Sequence, residues 1–314
     1  MLLQLALMVA ALAIIAVSSD RFVMGAAKTA ELLRISPLVV GVVVIGFGTG
    51  LPELLTALVA SIHGHTSLGI ASVLGSTVVN STLVLGTLGV LSAPKISSKV
   101  LKREGVAQLA AVASFGAVIV FLHFRPFYGV LLLLLALFVT STLLGSRQAR
   151  DSSEIEVEAR TVEEGYNWGL GKSLSITVFG GLAVLGSAEL LVSAASKLAV
   201  QLGVSKAVIG VTLVALGTSL PELVTAIAAA RRGHSDLVVG NIFGANLFNS
   251  TAVAGLAGLI SPGLEIPRLD FEAGFMMAAS VAAFFFLSSS RRLTRGEGWT
   301  LIAAYLLWIA FALR

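Results

Sequence analysis

The stretch Gly48-Thr49-Gly50-Leu51-Pro52-Glu53-Leu54-Leu55-Thr56-Ala57 sets a carboxylate beside a proline and two glycines inside a long apolar run. The chain then repeats it 169 residues later as Gly217-Thr218-Ser219-Leu220-Pro221-Glu222-Leu223-Val224-Thr225-Ala226. An ionisable side chain in the middle of a membrane span costs about 2.5–3.5 kcal/mol on insertion scales, so acids there mark ion or proton sites. Glu53 and Glu222 are therefore the first candidates for such a site.

The surrounding composition fixes the setting. Of 314 residues, 56% are hydrophobic and only 12% are charged, and the mean hydropathy is +0.96. Water-soluble domains carry about 25% charge, so this is a polytopic membrane protein whose first partner is the lipid bilayer. There is no cysteine, which excludes disulfides, thiolate metal sites and cysteine nucleophiles. The net charge of +4 does not indicate nucleic acid, because the basic residues fall in short loops and act as topology signals. Residues 1–17 resemble a signal-peptide core but lack a basic segment before it, and they read as part of a first span.

Apolar stretches of the ~20 residues needed to cross a bilayer fall near 2–31, 36–62, 66–92, 105–123 and 127–145, and again near 172–200, 204–230, 236–260, 270–289 and 297–313. The expected fold is all-α with ten transmembrane helices, in units 1–145 and 172–314 joined by a polar linker at 146–171. That linker holds Asp151, Glu154, Glu156, Glu158, Glu163 and Glu164 and has no evident chemistry. Loops after the odd-numbered spans carry fourteen Lys and Arg and the opposite side carries four. The positive-inside rule then places the linker in the cytoplasm and both termini outside, in the cell membrane.

The offset of 169 holds without a gap well beyond the opening motif. It maps Asn80-Ser81-Thr82 onto Asn249-Ser250-Thr251, Gly75 onto Gly244, Gly41 onto Gly210, Ser36 onto Ser205 and Lys28 onto Lys197. Each copy has an odd number of spans, so the copies cross the membrane in opposite directions as two inverted five-helix repeats.

Thr49 and Glu53 are four apart and share a helix face, while Gly46, Gly48, Gly50 and Pro52 weaken the backbone ladder beside them and free carbonyls to face a cation. Ser76 and Asn80 share a face in the third span, and Ala245 and Asn249 take the matching places in the eighth. These positions offer carboxylate, hydroxyl, amide and backbone oxygens with no nitrogen or sulfur donor. All-oxygen coordination suits hard cations, and two carboxylates neutralise one divalent ion such as Ca²⁺. Close helix packing is the competing explanation for Thr49, Thr218 and Ser76.

Other features are weaker. Asp20 maps onto Glu189, and both lie off-centre in spans 1 and 6, where pairing with Arg21 or Lys28 competes with any ion role. His63-Gly64-His65 has the form of a transition-metal site but reads better as a polar loop. The Asn80 and Asn249 sequons lie inside spans and are not glycosylation sites.

The paired Gly-Thr-x-Leu-Pro-Glu segments, each with an Asn 27 residues beyond its Glu in a Gly-x-x-x-x-Asn pattern, resemble the two α-repeats of the sodium/calcium exchanger superfamily. The ten-span layout is similar to its prokaryotic members along essentially the whole chain. This resemblance implies a secondary-active antiporter for Ca²⁺ and Na⁺, with no enzyme activity and no cofactor. It implies a cation site from spans 2, 3, 7 and 8, with Glu53 and Glu222 shared between the ions and Thr49, Thr218, Ser76, Asn80, Ser219 and the backbone at Gly46 and Ala215 as further ligands. It also implies that spans 1 and 6 slide across the core. The chain departs from the family pattern at Gly50, Ala245 and Asn249, where the family usually has a hydroxyl, a serine and, in many sodium-coupled members, an aspartate. Asn249 stays a candidate oxygen donor, and the missing groups leave H⁺ open as the coupling ion. A cation channel and an intramembrane hydrolase are the remaining readings. The hydrolase fits poorly, since there is no cysteine and all four histidines lie at span ends.

Overall fold

The computed structural model describes residues 1–33, 50–121, 128–137, 168–231, 235–260 and 269–312, and every regular element among them is helical. In chain order these are α1 (Leu2–Leu32), α2 (Leu51–Ile62), α3 (Thr66–Ser92), α4 (Leu101–Val120), α5 (Tyr128–Leu137) and α6 (Leu170–Leu202). There follow α7 (Lys206–Ile209, Gly210–Val214 and Ala215–Thr218), α8 (Leu220–Arg231), α9 (Ser235–Phe248, Asn249–Val253 and Ala254–Ile260), α10 (Asp270–Ser290) and α11 (Arg295–Ala312). Seven of the described helices are long and apolar enough to cross a membrane. The expected spans at 36–62 and 127–145 run partly outside the described residues, as does most of the linker.

The internal repeat reappears in the helix ends. Adding 169 to Leu51–Ile62 gives Leu220–Arg231, Thr66–Val79 gives Ser235–Phe248, and the π turn at Asn80–Val84 gives the π turn at Asn249–Val253. Further π turns lie at Leu101–Gly105 and Gly210–Val214.

Close backbone approaches at glycine define which way neighbouring helices run. A Cβ at Gly25 of α1 would lie 2.8 Å from the Thr177 nitrogen of α6, and one at Gly180 would lie 3.0 Å from the Phe22 nitrogen. One index rises as the other falls, so α1 and α6 are antiparallel. Gly210 abuts Leu68 while Gly75 abuts Val211 and Ala215, so α3 and α7 are parallel. A Cβ at Gly86 would sit 2.8 Å from the Gly298 carbonyl oxygen, and one at Gly255 would sit 2.9 Å from that of Gly129. Those two pairs interchange under the offset of 169: Gly86 becomes Gly255 and Gly129 becomes Gly298. The same contact thus occurs once at each of the two offset-related places.

The core sits around α3, whose apolar side chains from Leu68 to Leu88 are almost all buried. The rim helices keep large apolar side chains outward: Val9 and Val17 on α1, Phe179 and Leu182 on α6, Phe285 on α10, and Leu306 and Phe311 on α11. Helices apolar on both faces fit a lipid surround. Short connections pair at the ends. The Ile96 N–H donates to the Arg291 carbonyl (2.8 Å) and the Leu293 N–H to that of Pro94 (3.1 Å), so the segments following α3 and α10 share one side.

Candidate cation site

The site begins with two helix breaks. Gly50 precedes α2 with φ −86° and ψ −1°, and Ser219 separates α7 from α8 with φ −88° and ψ 4°. Each lies two residues before a proline. Pro221 has no N–H to offer the Gly217 carbonyl four residues back, so the ladder cannot run through. Glu53 and Glu222 consequently fall in the first turns of α2 and α8, where the helix dipole favours a carboxylate. The carbonyl end of α7 faces the same break and favours a cation.

These elements bring residues from both copies together. Ser219 Oγ donates to Glu53 Oε1 over 3.5 Å, and the Thr218 hydroxyl also faces that carboxylate. Ser76 Oγ of α3 donates to the Ala215 carbonyl at 3.4 Å and shares a hydrogen bond with Thr218 Oγ1 at 3.3 Å, while Thr218 Oγ1 itself lies 3.3 Å from the Ala215 carbonyl. That carbonyl also takes the Ser219 N–H at 3.1 Å. Glu222 is close enough to Glu53 for their charges to interact. Both carboxylates are 2% exposed, in company with Ser76, Asn80, Thr218, Ser219 and Asn249, all at 0–1%.

Several of these atoms have no hydrogen-bond partner among the described residues: Glu53 Oε2, Glu222 Oε2, Asn249 Oδ1 and both polar atoms of the Asn80 carboxamide. Buried polar groups left in this state cost a full desolvation penalty of about 1–3 kcal/mol each. A hard cation bound by these oxygens would offset it, so the donor set fits such an ion. Thr49 and Gly46 lie outside the described residues. Ala245 is buried on α9 but contributes only a methyl group.

The remaining sequence candidates resolve differently. Lys206 Nζ lies 2.8 Å from His65 Nδ1, and burial followed by the Lys206 charge holds the imidazole below its ordinary value. His63 Nδ1 bonds the Val59 carbonyl at 2.9 Å, and its Nε2 lies 3.4 Å from Glu189 Oε1. The His-Gly-His segment is thus occupied by internal partners, as expected for a polar loop. Glu189 faces His63 of that loop. Asp20 lies on α1, and its side chain is outside the described set. Among the described residues no three His, Asp or Glu side chains cluster as a further metal site.

One buried polar set escaped the sequence reading. Asn246 Nδ2 donates to Ser81 Oγ at 3.0 Å, and Ser81 Oγ lies 3.1 Å from Ser280 Oγ. Its sequence signal was Asn246 standing three residues before Asn249, close to the same helix face.

Comparison with known proteins bears on this arrangement. A family model described as sodium/calcium exchanger protein matches residues 3–145 and 172–314. The Inner membrane protein YrbG of Escherichia coli is 35% identical, covering 99% of this chain and 97% of that protein. The sodium/calcium exchanger MaX1 of Methanosarcina acetivorans is 29% identical, with 93% of each covered. A structure of the sodium-calcium exchanger NCX_Mj soaked with Na⁺ and Sr²⁺ superposes with a TM-score of 0.66 at 30% identity and 98% coverage of both chains.

Proposed function

This chain belongs to the sodium/calcium exchanger family, and we propose that it moves Ca²⁺ out of the cytoplasm in exchange for Na⁺ by alternating access at a site built on Glu53 and Glu222. It is a helical membrane protein and a cation/Ca²⁺ antiporter, not an enzyme. The observation that carries the proposal is the meeting of two buried carboxylates, one from each copy of the repeat, in a cluster made only of oxygen donors.

The mechanism is competition. Ca²⁺ and the driving ion need the same two carboxylates, so one crossing carries one kind of ion. A loaded site is neutralised and can pass an occluded state, whereas two bare carboxylates resist entering a dry barrier. Glu53 and Glu222 supply the charge. Thr49, Thr218, Ser76, Ser219, Asn80 and Asn249 with the Gly46 and Ala215 carbonyls complete the oxygen shell.

We read the architecture as ten spans in inverted units 1–145 and 172–314, joined by a cytoplasmic linker at 146–171 with both termini outside. The antiparallel pairing of α1 with its repeat mate α6 supports the inversion. So does alternation: the segments after α3 and α10 meet on one side, and Lys206 meets His65 on the other. In this reading α1 and α6 slide as a pair over the core, where Leu12 of α1 packs on Gly217 beside the break.

A second reading, Ca²⁺/H⁺ exchange, is favoured by Gly50, Ala245 and Asn249, which remove oxygens that a Na⁺ ion would need. Ca²⁺ flux in proteoliposomes under separately imposed Na⁺ and H⁺ gradients tests the choice. Uptake driven by Na⁺ alone supports the main reading. Uptake driven only by a pH gradient contradicts it.

A further inference from the structure

Beside the carboxylate cluster, a second buried polar chain ties together α3, α9 and α10. Asn246 is 0% exposed, and Ser81 and Ser280 are 1% exposed. The Asn246 amide N–H donates to Ser81 Oγ (3.0 Å), and Ser81 Oγ shares a hydrogen bond with Ser280 Oγ (3.1 Å).

Resting on the reading of Asn80 and Asn249 as part of the cation site, we propose that Asn246, anchored through Ser81 to Ser280, is a positioning residue that sets the separation of the two π turns and hence the size of cation the site accepts. Ser81 immediately follows Asn80 in the π turn of α3, so the two side chains leave the helix in different directions. One turn of backbone thus presents Asn80 in one direction and Ser81 toward α9 and α10. Asn246 lies one turn before Asn249, so fixing Asn246 fixes the rotation and height at which α9 carries Asn249.

The tie has no counterpart in the other half. The offset of 169 takes Asn246 to Thr77, whose hydroxyl donates to the Val73 carbonyl of its own helix at 3.1 Å. It takes Ser280 to Ala111, which has no polar group, and Ser81 to Ser250, whose Oγ has no partner among the described residues. Among the described residues, one side of the pseudo-symmetric site is therefore braced between helices and the other is not. Helices in a bilayer are held by packing and by such interhelical hydrogen bonds. Discrimination among hard cations depends on cavity size and on how rigidly the oxygens are held, and a one-sided brace acts on both.

The test is ⁴⁵Ca uptake by the full-length reconstituted protein, with Sr²⁺ as competitor. Asn246→Ala should raise the Ca²⁺ concentration for half-maximal uptake about fivefold. It should also shift the preference toward the larger Sr²⁺ and leave the maximal rate within about twofold. Ser280→Ala should move the preference the same way, and Ser280→Thr, which keeps the hydroxyl, should retain the wild-type ratio. If Asn246→Ala does not fold, Ser280→Ala carries the measurement. An unchanged Sr²⁺/Ca²⁺ preference with only a lower rate or less protein would mean a structural role and overturn the proposal. Full uptake by Glu53→Gln in the same assay would overturn the site reading as well. Loss of uptake there with an unchanged ratio in Asn246→Ala would overturn this inference alone.

Discussion

Ser219, at the break between α7 and α8, donates its hydroxyl to the carboxylate of Glu53 in α2 over 3.5 Å. A residue of one repeat thus orients the principal charged group of the other. Removing the hydroxyl in Ser219→Ala should weaken Ca²⁺ binding about tenfold, since a long hydrogen bond to a charged group lies at the low end of its range of about 1.5–3 kcal/mol. The concentration for half-maximal ⁴⁵Ca uptake reads this directly, and Ser219→Thr should restore most of it.

The glycine pairs make a prediction about stability. A Cβ at Gly86 would press on the Gly298 carbonyl at 2.8 Å and on Ile302 at 2.8 Å, whereas one at Gly171 has nothing within 4 Å. Gly86→Leu should destabilise the protein by about 1–3 kcal/mol or more through overpacking, and Gly171→Ala should be near neutral. Thermal unfolding in detergent followed by size-exclusion chromatography distinguishes the two.

Much of this was legible in the sequence for a definite reason. The offset of 169 preserves spacing as well as residue type, so helix ends at Leu51 and Leu220 or at Thr66 and Ser235 recur in register. The buried acids were legible because an acid in an apolar run is costly. The π turns at Asn80 and Asn249 were not, because hydropathy does not separate one extra residue in a turn from a regular helix. Asn246 was missed because its repeat mate is Thr77 and the symmetry that exposed the rest gave it no partner. The family resemblance named the ligand set, yet Thr49 and Gly46 lie outside the described residues.

Restoring the hydroxyls should change ion coupling. Gly50 has φ −86°, a conformation open to any residue, so Gly50→Ser brings no backbone strain. Ala245 is buried on the site-bearing helix α9. The double variant Gly50→Ser with Ala245→Ser should raise the apparent Na⁺ affinity by about five- to thirtyfold, at about 0.5–1 kcal/mol for each restored oxygen. Na⁺-driven Ca²⁺ uptake over a Na⁺ titration checks it.

The loop between α2 and α3 carries a pH dependence. Burial and Lys206 hold His65 below its ordinary value of 6.5. The folded protein therefore keeps His65 neutral at pH values where the unfolded chain would protonate it. The stability this contributes is full above about pH 6.5 and is lost as pH falls below it. The Tm of wild type should thus fall further between pH 7.5 and 5.5 than that of His65→Gln, and an equal fall in both would contradict the assignment.

The most direct measurement is ⁴⁵Ca uptake into proteoliposomes driven by an imposed ion gradient, for wild type, Glu53→Gln and Glu222→Gln. The shared-carboxylate mechanism predicts that each single substitution abolishes gradient-driven exchange while the protein remains folded in the bilayer. Gradient-driven uptake at the wild-type rate in either variant would contradict it.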